Sequence, residues 1–226
     1  MKNNLKNLVI FDFCETLVDL QTADFFVDYI IKKEKYYQYL WLKKIDFFLK
    51  KSRILAVINK CFPKFNFSKR LKLYQIKGVS QEKVNQLAQD YYEEILMNNL
   101  IEPVYQLLES HSKNNDTILI ISGGYLPYVK YFSEKHHIEN YFATKIAYRF
   151  GKITGNFDES DCMFDQKVYL LEKFINETNI IYSKSIVYSD SITDLPLLKW
   201  ADEAVVISKS KSQLWANDFG FKEIIH

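Results

Sequence analysis

Apolar runs of strand character recur along the chain and alternate, in its second half, with amphipathic segments of helical spacing. The runs are Leu8–Phe11, Thr117–Ile121, Ser185–Tyr188 and Ala204–Ile207. This alternation is typical of a parallel sheet covered by helices, and it predicts an α/β fold. The run Thr144–Tyr148, which is followed by a turn at Gly151, predicts a small β-hairpin beside that sheet.

The long segment between the first and second runs has no comparable strand pattern and is rich in Leu, Ile, Phe, Tyr and Lys. Its clearest amphipathic spacing covers Thr22–Lys33 and Ser80–Met97, and the serine that opens the second stretch suits a helix N-cap. We therefore predict a helical cap at residues 18–99, inserted into a core that is made of residues 1–17 and 100–226.

Composition and charge disfavour several classes of function. The 226 residues carry 30 Lys and Arg against 28 Asp and Glu, and a formal net charge of +2 gives no strong attraction to nucleic acid or to an anionic membrane. No apolar stretch approaches the roughly 18 residues of a membrane span, and Leu8–Phe11 is too short for a signal-peptide core. Three cysteines without C-x-x-C spacing favour neither disulfides nor zinc. We expect a soluble, cytoplasmic protein with no nucleic-acid partner and no membrane span.

Polar residues follow the first two runs, where a parallel sheet binds its ligands. Asp12 comes directly after Leu8–Phe11, and a carboxylate at that edge of the sheet can serve as a nucleophile and as a cation ligand. The second run ends in Ser122, Gly123 and Gly124, which offer a hydroxyl and unhindered backbone N–H groups to a phosphate. Taken singly, each of these could also be an ordinary turn between a strand and a helix.

Charged residues in the last third of the chain add to this set. Lys167 opens a predicted helix over Lys167–Phe174, where an ammonium could neutralise a phosphate and an attacking carboxylate together, although most lysines are simply solvated. The third run is followed by Asp190 and Asp194, paired carboxylates of the kind that Mg²⁺ binds, although aspartates there also cap helices. Phosphoryl transfer needs carboxylates and cations to converge in this way.

The order and spacing of these motifs resemble those of the haloacid dehalogenase superfamily, in particular its phosphoserine-phosphatase-like branch. The resemblance covers nearly the whole chain and is carried by the strings Asp12-Phe13-Cys14-Glu15-Thr16-Leu17, Ser122-Gly123-Gly124 and Asp190-Ser191-Ile192-Thr193-Asp194-Leu195, with Lys167 between the last two. It implies a Rossmann-like, doubly wound parallel sheet with an inserted helical cap. It also implies an enzyme that hydrolyses a small-molecule phosphate monoester.

Residue by residue, the resemblance implies that Asp12 attacks phosphorus and forms an aspartyl-phosphate. The groups that would hold the phosphoryl oxygens belong to Ser122, Gly123, Gly124 and Lys167. The implied ligands of Mg²⁺ are the carboxylates of Asp12 and Asp190, the backbone carbonyl of Cys14, and Asp194 as a supporting carboxylate.

Cys14 departs from the family pattern, in which an aspartate at this place protonates the leaving alcohol and later activates water. A thiol with an ordinary pKa of about 8.5 is a poorer acid than a carboxylic acid. Three interpretations follow: Cys14 is the proton donor, Glu15 or a group of the substrate replaces it, or catalytic power has been lost. We favour the second. A cysteine phosphatase, with Cys14 as the nucleophile, is rejected because Leu20 stands where its arginine would be.

Two positions of the cap bear on the substrate. Gln21 stands where phosphoserine phosphatases carry a glutamate that senses the ammonium of the substrate, so strict phosphoserine specificity is not expected. A phosphorylated amino alcohol or a sugar phosphate fits as well as a phosphoserine-like substrate. Arg70 could reach from the cap toward an anionic substrate.

Two other classes of function are compatible with parts of the sequence. Without the usual acid at position 14, the chain could be a non-catalytic binder of phosphate ligands or a regulatory subunit. The segment 36–51 mixes aromatic residues with lysines and could lie on a membrane surface, although packing of a cap face explains it more simply.

Overall fold

The computed structural model describes residues 5–39, 41–51 and 66–226 of the chain. Its strands are β1 (Leu8–Phe11), β2 (Thr117–Tyr125), β3 (Asn140–Thr144), β4 (Ile146–Arg149), β5 (Lys152–Phe157), β6 (Ser185–Ser189), β7 (Glu203–Ser208) and β8 (Lys222–Ile225). Its α-helices are α1 (Thr22–Glu34), α2 (Trp41–Lys51), α3 (Phe67–Tyr74), α4 (Gln81–Tyr91), α5 (Glu102–Lys113), α6 (Leu126–Lys135), α7 (Asp165–Thr178), α8 (Leu195–Trp200) and α9 (Leu214–Asp218). Shorter helical turns cover Tyr92–Leu96, Met97–Asn99 and Ile192–Asp194.

Six strands form one sheet in the order β3-β2-β1-β6-β7-β8, and every pair in it is parallel. The central strand β1 pairs with β2 on one side and with β6 on the other, so that Phe11 lies level with Ile120 and Tyr188. The carboxyl ends of these three strands therefore meet at one edge of the sheet. The predicted hairpin is present as the separate antiparallel pair β4-β5.

Helices cover both faces of the six-stranded sheet, which confirms the doubly wound α/β fold. Side chains of β1 alternate between two hydrophobic clusters, because successive residues of a strand point to opposite faces. Val9 and Phe11 belong to the cluster on the side of α1, α4, α5 and α6, whereas Leu8 and Ile10 belong to the cluster on the side of α7, α8 and α9. Because helices cover both faces of the sheet, nearly every residue of a central strand is buried, and the central strands are unbroken apolar runs in the sequence.

The chain leaves the sheet region after Leu17 and returns to it beside the same point. The backbone N–H of Asp19 donates to the carbonyl of Asn99 at 2.8 Å, and that of Ile101 donates to the carbonyl of Leu17 at 2.9 Å. Helices α1 to α4 lie between these two crossings. The division into a cap at residues 18–99 and a core at residues 1–17 and 100–226 stays a prediction that this arrangement suits.

The helix predicted over Ser80–Met97 is shorter than expected. Ser80 is its N-cap, with its hydroxyl accepting from the N–H of Lys83 at 3.3 Å, but the α-helix ends at Tyr91 and gives way to the turns Tyr92–Leu96 and Met97–Asn99. The side-chain amides of Asn98 and Asn99 donate to backbone carbonyls four residues earlier, at 2.9 and 2.7 Å. Such side-chain bonds compete with regular helical ones near a helix end.

Helix α2, in the aromatic and lysine-rich segment, buries Leu42 but leaves Phe47 and Phe48 about two-thirds exposed. The expectation that this segment packs a cap face therefore holds for Leu42 and not for the two phenylalanines. Within the described ranges, no helix combines the length and the apolar character that crossing a bilayer would need. Of the three cysteines, Cys61 lies outside the described residues, and the other two are free thiols.

Candidate active site

A cavity of about 270 Å³ opens at the carboxyl edge of the sheet, between β1, β6 and the cap. Its wall brings together residues from distant parts of the sequence, namely Asp12, Cys14, Glu15, Gln21, Gly123, Lys167, Asp190 and Asp194. Parallel strands place their carboxyl ends at one edge, and this is why motifs so far apart in sequence converge here. Eight of the predicted site residues thus line one cavity.

Lys167 links two carboxylates at the base of the cavity. It lies in the first turn of α7 and is only 3% exposed, with its Nζ 2.9 Å from Oδ1 of Asp12 and 2.5 Å from Oδ2 of Asp194. Burial alone would lower the pKa of Lys167, but the carboxylates of Asp12 and Asp194 outweigh burial and raise that pKa above its ordinary value. The ammonium is therefore a permanent positive charge beside Asp12.

Asp194 supports Lys167 from the side opposite to Asp12. Its Oδ2 accepts hydrogen bonds from Lys167 Nζ and, at 2.7 Å, from the hydroxyl of Ser189 at the end of β6. Asp194 is 2% exposed, so this arrangement fixes the direction of the lysine side chain. Its predicted service as a metal ligand stays a prediction, whereas its contact with Lys167 is observed.

Asp190 lies on the other side of Asp12 and is fixed by Thr16. The Thr16 hydroxyl donates to Oδ1 of Asp190 at 3.0 Å and accepts from the backbone N–H of Asp190, also at 3.0 Å. Burial, followed by the nearby charge of Asp12, raises the pKa of Asp190, and burial also raises the pKa of Asp12 against the opposing effect of Lys167. A buried carboxylate and a half-buried one that repel each other are stabilised in their charged forms by a further cation.

The donor set suits Mg²⁺, which typically takes one or two carboxylates and completes its shell with water and phosphate oxygens. Oδ1 of Asp12 is buried and accepts no well-directed hydrogen bond from the described residues. In the part of the chain that the structure describes, no group of three or more His, Cys, Asp or Glu side chains is arranged to hold a metal on its own. The resemblance implies that Asp12, Asp190 and the backbone carbonyl of Cys14 hold the ion, which stays a prediction, and solvent and substrate would complete its shell.

The Ser122-Gly123-Gly124 string lies at a bulge near the end of β2. Gly123 lines the cavity, while Ser122 is fully buried behind it and accepts the N–H of Gly124 on its Oγ at 2.8 Å. That contact occupies the Gly124 N–H and leaves the Ser122 hydroxyl proton available to another acceptor. A Cβ at Gly124 would lie 2.6 Å from the Tyr128 hydroxyl, so no larger residue fits there. Phosphate binding by this string stays a prediction, with Gly123 in the most favourable place.

Cys14 is held in a network of buried hydroxyls that the sequence did not indicate. Its Sγ lies 2.7 Å from Oγ1 of Thr22 and 3.8 Å from Oγ of Ser122. The Thr22 hydroxyl lies in turn 2.8 Å from the hydroxyl of Tyr128. Burial, and then the charge of Asp12, raises the pKa of the Cys14 thiol to about 11. The thiol is therefore neutral and protonated at physiological pH.

This pKa predicts slow alkylation of Cys14 in the metal-free protein. A thiol is attacked only as thiolate, so its rate of reaction with iodoacetamide should rise about tenfold per pH unit from pH 7.5 to 10 without levelling off. Peptide mass spectrometry over a time course would measure Cys14 separately from the other cysteines. A plateau near the ordinary thiol pKa of about 8.5 would contradict the proposed environment.

Three further predicted site residues differ in whether they line the cavity, namely Glu15, Gln21 and Arg70. Glu15 adopts a positive φ of 53° and accepts a hydrogen bond from the Gln21 side-chain amide, and both residues line the wall. Arg70 is not among the lining residues, because its guanidinium stacks on Phe157 at 4.4 Å from the ring centroid and donates to Asn156. The residues of α3 that do line the cavity are Ser68 and Lys69.

A family model described as haloacid dehalogenase-like hydrolase matches residues 9–199. This match covers most of the chain, and the protein belongs to that family of hydrolases. The resemblance carried by the sequence motifs is thereby confirmed.

The individual proteins that resemble this chain share less than a quarter of their aligned residues with it. The chain is 24% identical over 220 residues to a histidinol-phosphatase of Neisseria meningitidis serogroup C (strain 8013), covering 90% of this chain and 91% of that protein. A protein of unknown function from Bordetella pertussis Tohama I has the same fold, with a TM-score of 0.80, 15% identity and coverage of 97% and 98% of the two chains. A phosphoserine phosphatase solved as a phospho-aspartyl intermediate analogue gives a TM-score of 0.62 and 22% identity, with 90% and 87% coverage.

Proposed function

We propose that this hydrolase is a Mg²⁺-dependent phosphatase of small phosphate monoesters that works through an aspartyl-phosphate on Asp12. The observation that carries the proposal is the buried array Asp12–Lys167–Asp194 at the carboxyl edge of the sheet. A structural ion pair needs no cavity, whereas this one forms the wall of a cavity that also contains Asp190 and Gly123. Perturbed carboxylates in a cleft are a mark of functional sites.

Charge neutralisation is the first task of the site. A phosphate monoester and the Asp12 carboxylate repel each other, so the substrate can approach only where positive charge lies between them. Lys167 supplies one such charge and is held against Asp12 by Asp194 and Ser189. A bound Mg²⁺ would supply two more charges and polarise the phosphoryl oxygens.

Asp12 then forms a covalent bond to phosphorus in a first step, and water breaks that bond in a second. A carboxylate oxygen of Asp12 attacks phosphorus as the ester oxygen departs with its electron pair and takes up a proton. Water next attacks the phosphorus of the aspartyl-phosphate, which releases inorganic phosphate and restores the carboxylate. Cys14 and Glu15 both line the cavity and are the two protein groups that could supply the proton to the alcohol.

Removal of the metal should abolish turnover. Because the buried carboxylate of Asp12 and the half-buried one of Asp190 repel each other, hydrolysis of p-nitrophenyl phosphate should fall by roughly a hundredfold or more in EDTA and return when Mg²⁺ is added in excess. Inhibition by EDTA with recovery would support the proposal. Metal-independent hydrolysis would contradict it, and an absence of turnover under any metal condition would favour a non-catalytic phosphate binder.

The substrate class is a small phosphorylated alcohol. Gln21 carries no charge where the resemblance would place an ammonium-sensing glutamate, and its amide donates to Glu15, so no strict selection of phosphoserine is expected from Gln21. The histidinol-phosphatase and phosphoserine phosphatase relatives act on phosphorylated alcohols that carry an amine. A panel of phosphoserine, histidinol phosphate, phosphoethanolamine, glycerol phosphate and sugar phosphates would rank these candidates by kcat/KM.

A further inference from the structure

The side chain of Lys69 is buried and extends from the cap to residues of the core. It lies on α3, is 8% exposed, and donates to the carbonyl of Gly123 at 2.5 Å, to the hydroxyl of Thr144 at 2.9 Å and to a carboxylate oxygen of Asp161. An ammonium has three donors, and here all three have an acceptor. Lys69 therefore has no hydrogen left to bind a substrate group, although it lines the cavity.

The peptide between Gly123 and Gly124 is held at both ends. Its carbonyl oxygen accepts from Lys69 and lies 3.2 Å from Oγ1 of Thr144, while its N–H donates to Oγ of Ser122. Two consecutive glycines have wide conformational freedom, and external contacts must hold them if this peptide is to keep one orientation. Of these contacts, only that of Lys69 comes from the cap.

Asp161 keeps the lysine in place and is itself held from the cap. Its second oxygen accepts from the side-chain amide of Asn66 at 2.8 Å, and its first accepts from the hydroxyl of Thr144 at 2.5 Å. Asn66 is the N-cap of α3, so the beginning of this helix is joined to the core by two side chains. Helix α3 and the Gly123–Gly124 peptide are thus connected through direct hydrogen bonds of Asn66 and Lys69.

We propose that Lys69 is a positioning residue that, through the Gly123 carbonyl, holds Gly123 in place in the cavity wall for phosphate binding, and so makes that binding depend on the docked position of the cap. This inference rests on the proposed function. It assigns to Lys69 no contact with the substrate: its effect passes through the Gly123 carbonyl. Loss of the ammonium should free the two glycines and weaken the binding of any phosphate, including inorganic phosphate, which is too small to need the cap for its own contacts.

The test compares variants that differ only in this ammonium. In Asp161→Asn, the Lys69 ammonium loses its counter-charge but keeps the Gly123 carbonyl and the Thr144 hydroxyl as acceptors, so the Kd of inorganic phosphate, measured by isothermal titration calorimetry with Mg²⁺ present, should rise by less than in the double variant. In Lys69→Met/Asp161→Asn, which leaves no unpaired buried charge, that Kd should rise about tenfold or more, the equivalent of one hydrogen bond to a charged group. Lys69→Met alone should show a similar rise where it folds.

A matched control is available on the same helix. Lys72 pairs with Asp28 of α1 at 2.6 Å within the cap and does not line the cavity, so Lys72→Met should leave the Kd of phosphate unchanged. The positioning role is overturned if the folded double variant binds phosphate as tightly as Asp161→Asn. Failure of the proposed function would look different, since the wild type would then hydrolyse no phosphate ester although the Kd comparison could still be made.

Discussion

Replacement of Asp12 by asparagine should reduce turnover by about 10⁴-fold or more, the loss typical of removing a catalytic nucleophile. Asparagine keeps the shape of the side chain but is a poor nucleophile and removes one unit of the charge that would bind Mg²⁺. Initial rates with p-nitrophenyl phosphate and with the best natural ester would measure the effect. The fold should persist, because Lys167 keeps its contact with Asp194.

The control for this variant is Asp19→Asn in the same segment of the chain. Asp19 pairs with Lys209 near the protein surface, with both carboxylate oxygens 2.7 Å from the lysine Nζ, and it does not line the cavity. Its replacement should leave kcat within about twofold of wild type. Near-normal activity of Asp12→Asn on an ester that the wild type hydrolyses would show that the nucleophile has been wrongly assigned.

Replacement of Cys14 by aspartate should raise turnover on alkyl phosphates, and by up to about 10² to 10⁴-fold if proton donation limits the wild type. The pKa of the Cys14 thiol is raised to about 11 by burial and by Asp12, which makes it a weak acid toward a departing alkoxide. Nitrophenolate leaves without protonation, so p-nitrophenyl phosphate should respond much less. The ratio of the two rates is therefore the informative quantity.

The residues around Cys14 suggest how this prediction could fail. Thr22 and Tyr128 form a buried network around the thiol, and a charged aspartate must be accommodated among their hydroxyls. If Cys14→Asp slows both substrates while Cys14→Ser has little effect, the site is built around a small neutral residue. The proton would then come from Glu15, solvent or the substrate, and Glu15→Gln would distinguish the first of these.

The strands of the six-stranded sheet that were predicted from sequence are those covered on both faces and lying inside the sheet. Strand β1 was predicted with its observed bounds, because a central strand needs an unbroken apolar run. Strands β3 and β8 were not predicted. They lie at the two edges of the sheet, and polar residues such as the half-buried Asn140 and the exposed Lys222 interrupt their apolar pattern.

Some residues of the candidate site were predicted from the sequence and others were not. Asp12 and Asp190 were predicted because each follows a strand, and parallel topology brings strand ends together. Lys69 and Asp161 were missed, because they lie 92 residues apart in sequence and neither follows a strand of the main sheet. The burial of a lysine beside the cavity is a tertiary feature, and the sequence analysis selected its half-buried neighbour Arg70 instead.

The central claim is that phosphate passes through a covalent bond to Asp12, and it is tested most directly by trapping that bond. The wild type would be mixed with a phosphate ester that it hydrolyses and quenched in acid during turnover, and its peptides would then be analysed by mass spectrometry. Our account predicts one added phosphoryl group on the peptide that contains Asp12, located on that residue by fragmentation and absent in Asp12→Asn. A phosphoryl group on Cys14 or Ser122 instead would contradict it.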